Sequence, residues 1–390
     1  MPSGRPSETV KSGVIAALAQ VVLLWSSAVS AHDASAWGGL FRSRDHGATW
    51  FLASPGTYPT AAIALAVSPT DGNHLLLATD SGLLRSRNGG RDWSREASNV
   101  LTGAVFAAAF AGDGRRALVS TGTEIFRSDA DGEWRPTRPP RGTPPARAIA
   151  RGAAPGRAYV AGWTGFVRTD DWGASWSDAA DGLPGSPVTS MLVVPGRPES
   201  LHVLVEGQMW SSHDGAQTWV KREAGTEGVD ALGDDAGVAG RLWAARGDRL
   251  LRSDDGGASW RAAGRPLPEP NTSVRGISAS GDVVVVTTDR GIFRASDGGE
   301  RWTPLVDNLP AHLEAGPLVR DPSEPARLFA GFAVTPYPEL WRRAVEGTAA
   351  WQRIDLSSLL GAAAFLTLLV VLSFVALRRL RRHYRADPLR

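Results

Sequence analysis

Residues 249–260 read RLLRSDDGGASW, and the same pattern returns along the whole chain. It stands as GLFRSRDHGATW at 39–50, GLLRSRNGGRDW at 82–93, GFVRTDDWGASW at 165–176, QMWSSHDGAQTW at 208–219 and GIFRASDGGERW at 291–302. A copy one residue short, EIFRSDADGEW, occupies 124–134, and ELWRRAVEGTAAW at 339–351 keeps the strand and the tryptophan without the middle. The closing residues Trp50, Trp93, Trp134, Trp176, Trp219, Trp260, Trp302 and Trp351 are spaced 43, 41, 42, 43, 41, 42 and 49 residues apart. Spacing this even marks an internal repeat. Within each copy the alternation of RLLRS is that of a strand, the Trp opens the next strand, and the segment between is a hairpin turn. Ser and Asp two apart direct side-chain oxygens onto turn amides. The glycine two further on tolerates positive φ, and the indole covers the turn with a large apolar face.

Two more apolar segments precede each turn, for example AIALAVS at 62–68 with HLLLAT at 74–79, VTSMLVV at 188–194 with LHVLVE at 201–206, and VRGISAS at 274–280 with DVVVVTT at 282–288. Each period therefore holds four short strands, A to D, with the Ser-x-Asp-x-Gly-x-x-Trp turn between C and D. Four strands in about 42 residues is the signature of a β-propeller blade. The fold class expected is all-β, a single β-propeller. Eight C–D hairpins stand against seven A–B pairs, and because the eighth hairpin has lost its box the expected ring has seven four-stranded blades, with eight as the alternative. In the seven-blade reading the last blade joins 314–332 to the N-terminal hairpin 37–53, which removes the exposed sheet edges.

The turn resembles the Asp-box (BNR) repeat, and the resemblance spans about 37–354. Its residues here are Ser43, Asp45, Gly47 and Trp50, then Ser86, Asn88, Gly90 and Trp93, then Asp171, Gly173 and Trp176. They continue as Ser212, Asp214 and Trp219, Ser253, Asp255, Gly257 and Trp260, and Asp297, Gly299 and Trp302. Departures are Asn88 for Asp, Thr169 and Ala295 for Ser, and Ala216 for Gly. Among members of that family the chain is similar to photosystem II stability and assembly factors, single propellers that hold membrane-protein intermediates, and to sortilin-type receptors. Only the general role of a binding scaffold carries over. In the family these turns lie on the rim away from the central channel, which implies a structural role for them.

Of 390 residues, 15 are Trp against 4 Tyr and 11 Phe, and none is Cys. That excludes a disulfide framework, thiolate catalysis and Cys-ligated zinc. The net charge of +2 is unevenly placed: residues 356–390 carry +5, residues 1–31 carry +1 and residues 32–355 carry −4. The body has no electrostatic reason to bind nucleic acid. Residues 14–25, VIAALAQVVLLW, follow Arg5 and Lys11 and precede small residues ending at Ala31, the layout of a secretory signal peptide over 1–31. An uncleaved anchor is the other reading. Residues 356–377 are uncharged and long enough to cross roughly 30 Å of hydrocarbon. RRLRRHYR follows at once, and positive charge beside a span stays cytoplasmic. The expected organisation is a propeller at 32–355 outside the cell membrane, one helix in the lipid bilayer at 356–377 and a basic cytoplasmic tail at 378–390. Near-total use of Arg over Lys suggests a high-GC bacterial source.

Paired acids such as Asp254 and Asp255 recur in nearly every blade, whereas an active site is needed once, so the turns are expected to be structural. A second periodic set, Arg42, Arg85, Arg127, Arg168, Arg252 and Arg294, either packs between blades or forms a guanidinium ring for an acidic partner. The binding face expected is the one opposite the turns, built from the B–C turns with Asp80, Glu124, Trp163, Glu206, Asp248, Asp289 and Tyr337, and from the D–A connections. The D–A connection RPTRPPRGTPPAR at 135–147 carries Arg138 and Arg141 and reads as extended and exposed. No catalytic residue, metal ligand or cofactor is singled out. Non-catalytic recognition or assembly of an extracytoplasmic protein or glycan is the expected function. The alternative is a sialidase-like glycoside hydrolase at the channel, which needs clustered Arg beside a Tyr–Glu pair. Tyr58, Tyr159 and Tyr337 are the only ectodomain tyrosines available for that role.

Overall fold

The computed structural model describes residues 38–346 apart from 58, 186, 198, 223 and 224, and also residues 367, 373, 374 and 378. The expected leader at 1–31, Trp351, and nearly all of the span and basic tail lie outside the described residues. Among the described residues no helix is long and apolar enough to cross a membrane. The chain divides into two compact units, Met1–Pro338 and Glu339–Arg390.

The first unit is a seven-bladed propeller, each blade a four-stranded antiparallel sheet. Blade 1 is Ala62–Val67, Leu75–Thr79, Gly82–Ser86 and Ser94–Arg95. Blades 2 to 6 repeat that order over 105–136, 148–178, 188–222, 231–263 and 274–305. Blade 7 is composite: Glu314–Arg320 and Leu328–Ala333 supply strands A and B, and Gly39–Ser43 and Phe51–Leu52 supply C and D. Gly39–Ser43 pairs with Leu328–Ala333 from Gly39 opposite Phe332 to Ser43 opposite Leu328. The ring thus closes through the two ends of the propeller, as the seven-blade reading requires. Each A strand packs against the A strands of both neighbouring blades, which places strand A innermost.

Period-2 alternation explains why the blades stack. In Leu75–Thr79, Leu75 and Leu77 face the cluster shared with blade 7, while Leu76 and Ala78 face the cluster shared with blade 2. Seven such apolar clusters occur, one at each blade-to-blade interface. Stability comes from blade faces buried on each other, which suits a chain without cysteine.

The strand expected at 339–343 is not formed. Tyr337–Val345 is a helix. Glu339 lies in its first turn and Arg342 and Arg343 in its last, each arginine paired with Glu339 one turn away. Pro338 near the start and this i,i+3 and i,i+4 pairing favour a helix over a strand.

Candidate functional site

The repeated turns use up their own polar groups. In blade 7 the Ser43 hydroxyl donates to Asp45 Oδ1 at 2.7 Å and accepts the Gly47 amide at 2.8 Å. Asp45 also accepts the Thr49 amide and hydroxyl at 2.9 and 2.6 Å, and the Trp50 indole donates to Gly47 O at 3.0 Å. Gly47 has φ +78°, so the turn needs a left-handed residue there. The same set recurs with Thr169, Asp171 and Ser175, with Ser212, Asp214 and Thr218, and with Ser253, Asp255 and Ser259. In blade 1, Asn88 Oδ1 accepts the Ser86 hydroxyl and the Arg91 and Asp92 amides. In blade 6, Ala295 brings no hydroxyl, and Asp297 instead pairs with Arg301 at 2.8 Å. The Ser259 hydroxyl leads the interactions that hold the Asp255 carboxyl far below its ordinary value. Each such carboxylate is fully engaged in its own turn. Among the described residues no three potential metal ligands converge.

The periodic arginines do not form an open ring. Arg42 donates to Gly89 O of blade 1, Arg168 to Gly215 O of blade 4 and Arg294 to His46 O of blade 7. All three carbonyls belong to the same turn position, one residue after the Asp or Asn of the turn, in the next blade. Blade 4 has Ser211 in place of arginine, and His202 on the neighbouring strand takes over. Its Nε2 donates to Gly256 O of blade 5 at 3.0 Å while Nδ1 accepts from the Ser211 hydroxyl at 2.7 Å. Arg85 is 8 % exposed and held by Glu96 and His74. Arg252 lies over the Trp243 ring and beside Asp254. Five of the six guanidinium groups, those of Arg42, Arg85, Arg168, Arg252 and Arg294, are ties between or within blades, which favours packing over a ring open to an acidic partner.

On the opposite face the B–C turns meet the D–A connections. Asp80 accepts from the Thr60 hydroxyl and the Ala61 amide, and Asp289 accepts the Ser273 amide at 2.8 Å. Asp248 receives the Leu267 amide at its backbone carbonyl. These acids pin the connections that cross over them. Glu124 and Glu206 are exposed, on different blades. Tyr337 is buried: its hydroxyl donates to Ala62 O at 2.7 Å and its amide to Glu314 Oε2 at 2.9 Å. It therefore sits inside the ring-closing seam and not on a rim open to ligands.

Blade 3 differs. Trp163 is half-buried with its ring covered by the Arg147 guanidinium, 4.3 Å from the centroid. The 135–147 connection is fixed to this turn, because Thr143 O accepts the Trp163 amide and Gly142 O accepts the Thr164 amide and hydroxyl. Arg138 and Arg141 of that connection are exposed. A cavity of about 540 Å³ adjoins the turn, lined by Thr164, Gly165, Phe166, Asp178, Asp181, Leu183 and Val188 among others. Trp163, Arg138 and Arg141 thus share one side of blade 3, while Asp80, Glu124, Glu206, Asp248 and Asp289 are distributed over other blades. The pairing of Arg147 with Trp163 and the cavity wall at 181–185 escaped sequence reading. DGLPGSP at 181–187 was the available signal, a Gly/Pro-rich connection beside an aromatic turn.

At the channel Arg275 pairs with Glu314 at 3.5 Å, and Arg320 pairs with Asp234 and reaches Ser278. Tyr159 is 1 % exposed, Tyr337 is committed to a backbone carbonyl, and Tyr58 lies outside the described residues. Burial first, then Glu314, raises the Tyr337 phenol well above its ordinary value. Among the described residues no tyrosine is exposed beside a glutamate.

The chain matches no described protein family and no curated protein. Solved structures share its fold. YCF48 bound to a D1 peptide is 16% identical with a TM-score of 0.55, covering 72% of this chain and 94% of that one. The GH74 xyloglucanase from Xanthomonas campestris is 16% identical with a TM-score of 0.57, covering 70% and 51%. The extracellular domain of BT4673 from B. thetaiotaomicron is 14% identical with a TM-score of 0.53, covering 71% and 42%. A peptide-bound protein, a xyloglucanase and the extracellular domain of a one component system thus share this architecture, and what the chain has in common with them is the propeller itself.

Proposed function

We propose that the chain is a non-catalytic binding scaffold that holds a protein or glycan partner on the blade 3 face around Trp163. The observation that carries this is the Arg147-covered Trp163 beside an open cavity, with Arg138 and Arg141 exposed on a connection pinned to the same turn. Aromatic and arginine side chains on a fixed backbone are favoured interface anchors, since little conformational freedom is lost when a partner is bound. We place this scaffold outside a membrane, tethered through 356–377, on the apolar run and the arginines that follow it. The acids of the repeated turns are engaged in the fold, which supports recognition over catalysis.

The test is affinity capture with the full-length tagged chain and mass spectrometry, comparing wild type with Trp163→Ala and with Arg138→Glu/Arg141→Glu. Partners recovered by wild type are expected to drop at least tenfold with either variant while the protein stays folded. Equal recovery would remove blade 3 from the reading. Asp178 and Asp181 both line the cavity, and glycoside hydrolases commonly act through a pair of Asp or Glu carboxylates. Turnover of fluorogenic glycosides that is lost in Asp181→Asn would establish that second reading. For the tether, an alkaline phosphatase fused after residue 390 is expected to be inactive, and activity there reverses the orientation.

A further inference from the structure

The turn that is one residue short, in blade 2, borders a cleft of about 150 Å³ at the junction with blade 3. Arg116, Arg127 and Arg135 of blade 2 line it together with Asp171 and Trp172 of blade 3. Arg127 is blade 2's member of the periodic arginine set. Where Arg42, Arg168 and Arg294 each donate to a carbonyl of the next blade, the Arg127 guanidinium makes no hydrogen bond or ion pair among the described residues, and only its main chain is paired, in the sheet opposite Leu118 and Arg135. The residue at the corresponding position of the next turn is Trp172. It is left-handed with φ 56°, 2 % exposed, and packed into the apolar interface of blades 2 and 3. Its indole N–H is buried with no acceptor among the described residues.

The acceptors around the cleft, by contrast, all have partners. Asp129 Oδ1 accepts the Asp131 and Glu133 amides, and Glu133 pairs with Arg135 at 2.8 Å. Asp171 accepts from Thr169 and Ser175, and Arg116 pairs with Asp113 at 2.7 Å. What remains is an excess of donors: the Arg127 guanidinium and the buried, unpartnered indole N–H of Trp172, two residues that line a single small cleft. A buried donor without an acceptor is destabilising, so such a site favours a ligand that supplies oxygen lone pairs.

We propose that this cleft binds a carboxylate or small oxyanion, held by the Arg127 guanidinium and the Trp172 indole N–H. The guanidinium fork meets two oxygens of one group at once, which a carboxylate and a phosphate both present. The group belongs either to an acidic peptide or to a free oxyanion. The site is independent of the Trp163 face, because it lies on the C–D turn side of the ring. It belongs to the one interface where a shortened turn faces a tryptophan in place of the usual short residue.

Thermal unfolding of the full-length protein tests this, with inorganic phosphate and with a glutamate-rich peptide, each against chloride at equal ionic strength. Wild type is expected to gain about 5 °C, saturably, at ligand well above Kd. Arg127→Gln and Trp172→Phe, which keeps the ring and loses the N–H, are expected to lose that gain. Subtracting the variants removes the general stabilisation that phosphate gives any protein. Saturation by peptide at lower concentration than phosphate assigns the site to an acidic segment, and the reverse order assigns it to a free oxyanion. If the variants fail to fold, wild type labelled with ¹⁵N-tryptophan is titrated instead, and one indole resonance is expected to move with the same midpoint. No saturable gain in wild type, a gain kept in both variants, or indole resonances that stay fixed would overturn the proposal.

Discussion

His202 is fully buried and makes the tie that an arginine makes elsewhere. Burial, reinforced by nearby Arg222, pushes its pKa down to about 4, and burial with Arg85 does the same to His74. A histidine in the unfolded chain titrates near 6.5, so between pH 6.5 and 4 the unfolded state holds more protons than the folded one. Stability is therefore complete above that window and falls as the pH drops through it. Each buried imidazole is expected to account for roughly 2 kcal/mol between pH 7.5 and 5. The turn carboxylates act later, because their depressed values make them lose stability only as the pH falls below about 4. Urea unfolding at pH 7.5 and pH 5 checks this. Wild type should lose stability over that interval, and His202→Gln should lose about half as much. An identical pH slope in the variant would show that His202 does not titrate in this range.

At the scale of the element, the turn is the best-read feature of the chain and the tie between blades the least. Ser43, Asp45, Gly47 and Trp50 sit within eight residues, so their chemistry is local and shows in the letters. The arginine ties join residues 47 apart in sequence, in Arg42 to Gly89 and Arg168 to Gly215 alike. Their period was visible, but their target was not, since a backbone carbonyl carries no letter. Bulges in the A strands, as between Val105 and Ala107, were equally silent, because they arise where seven strands crowd one axis. The segment 339–343 was misread as a strand because ELWRR matched the repeat's third strand, although Glu339 with Arg342 and Arg343 already had helical spacing. A direct test of the ties is Arg42→Ala, which leaves the part-buried Gly89 carbonyl without its donor. It is expected to cost about 1–2 kcal/mol, whereas Arg135→Ala, exposed and paired only with Glu133, should stay within about 0.5 kcal/mol. Equal effects on chemical denaturation would show that the tie adds nothing beyond a surface charge.

For the whole propeller, closure decides the stability. In a ring every blade has two neighbours, and opening blade 7 exposes apolar faces on both sides of the break. The seam is joined at strand Gly39–Ser43, and Tyr337 locks it by linking Glu314 of blade 7 to Ala62 of blade 1. Gly316 makes room for that lock, since a Cβ there would stand 2.0 Å from the Tyr337 ring. Gly316→Ala must therefore displace the tyrosine, while Tyr337→Phe removes one hydrogen bond worth about 1 kcal/mol and keeps the ring in place. If closure is cooperative with the rest of the propeller, the paired amides of Gly39–Ser43 exchange hydrogen only when the whole ring unfolds. Their protection in the wild type should then equal that of a central strand such as Leu75–Thr79. Tyr337→Phe should lower both together, by roughly fivefold, and Gly316→Ala should lower both further. Exchange at 39–43 that is orders of magnitude faster than at 75–79 would mean that the seam opens alone, leaving six blades standing without the seventh.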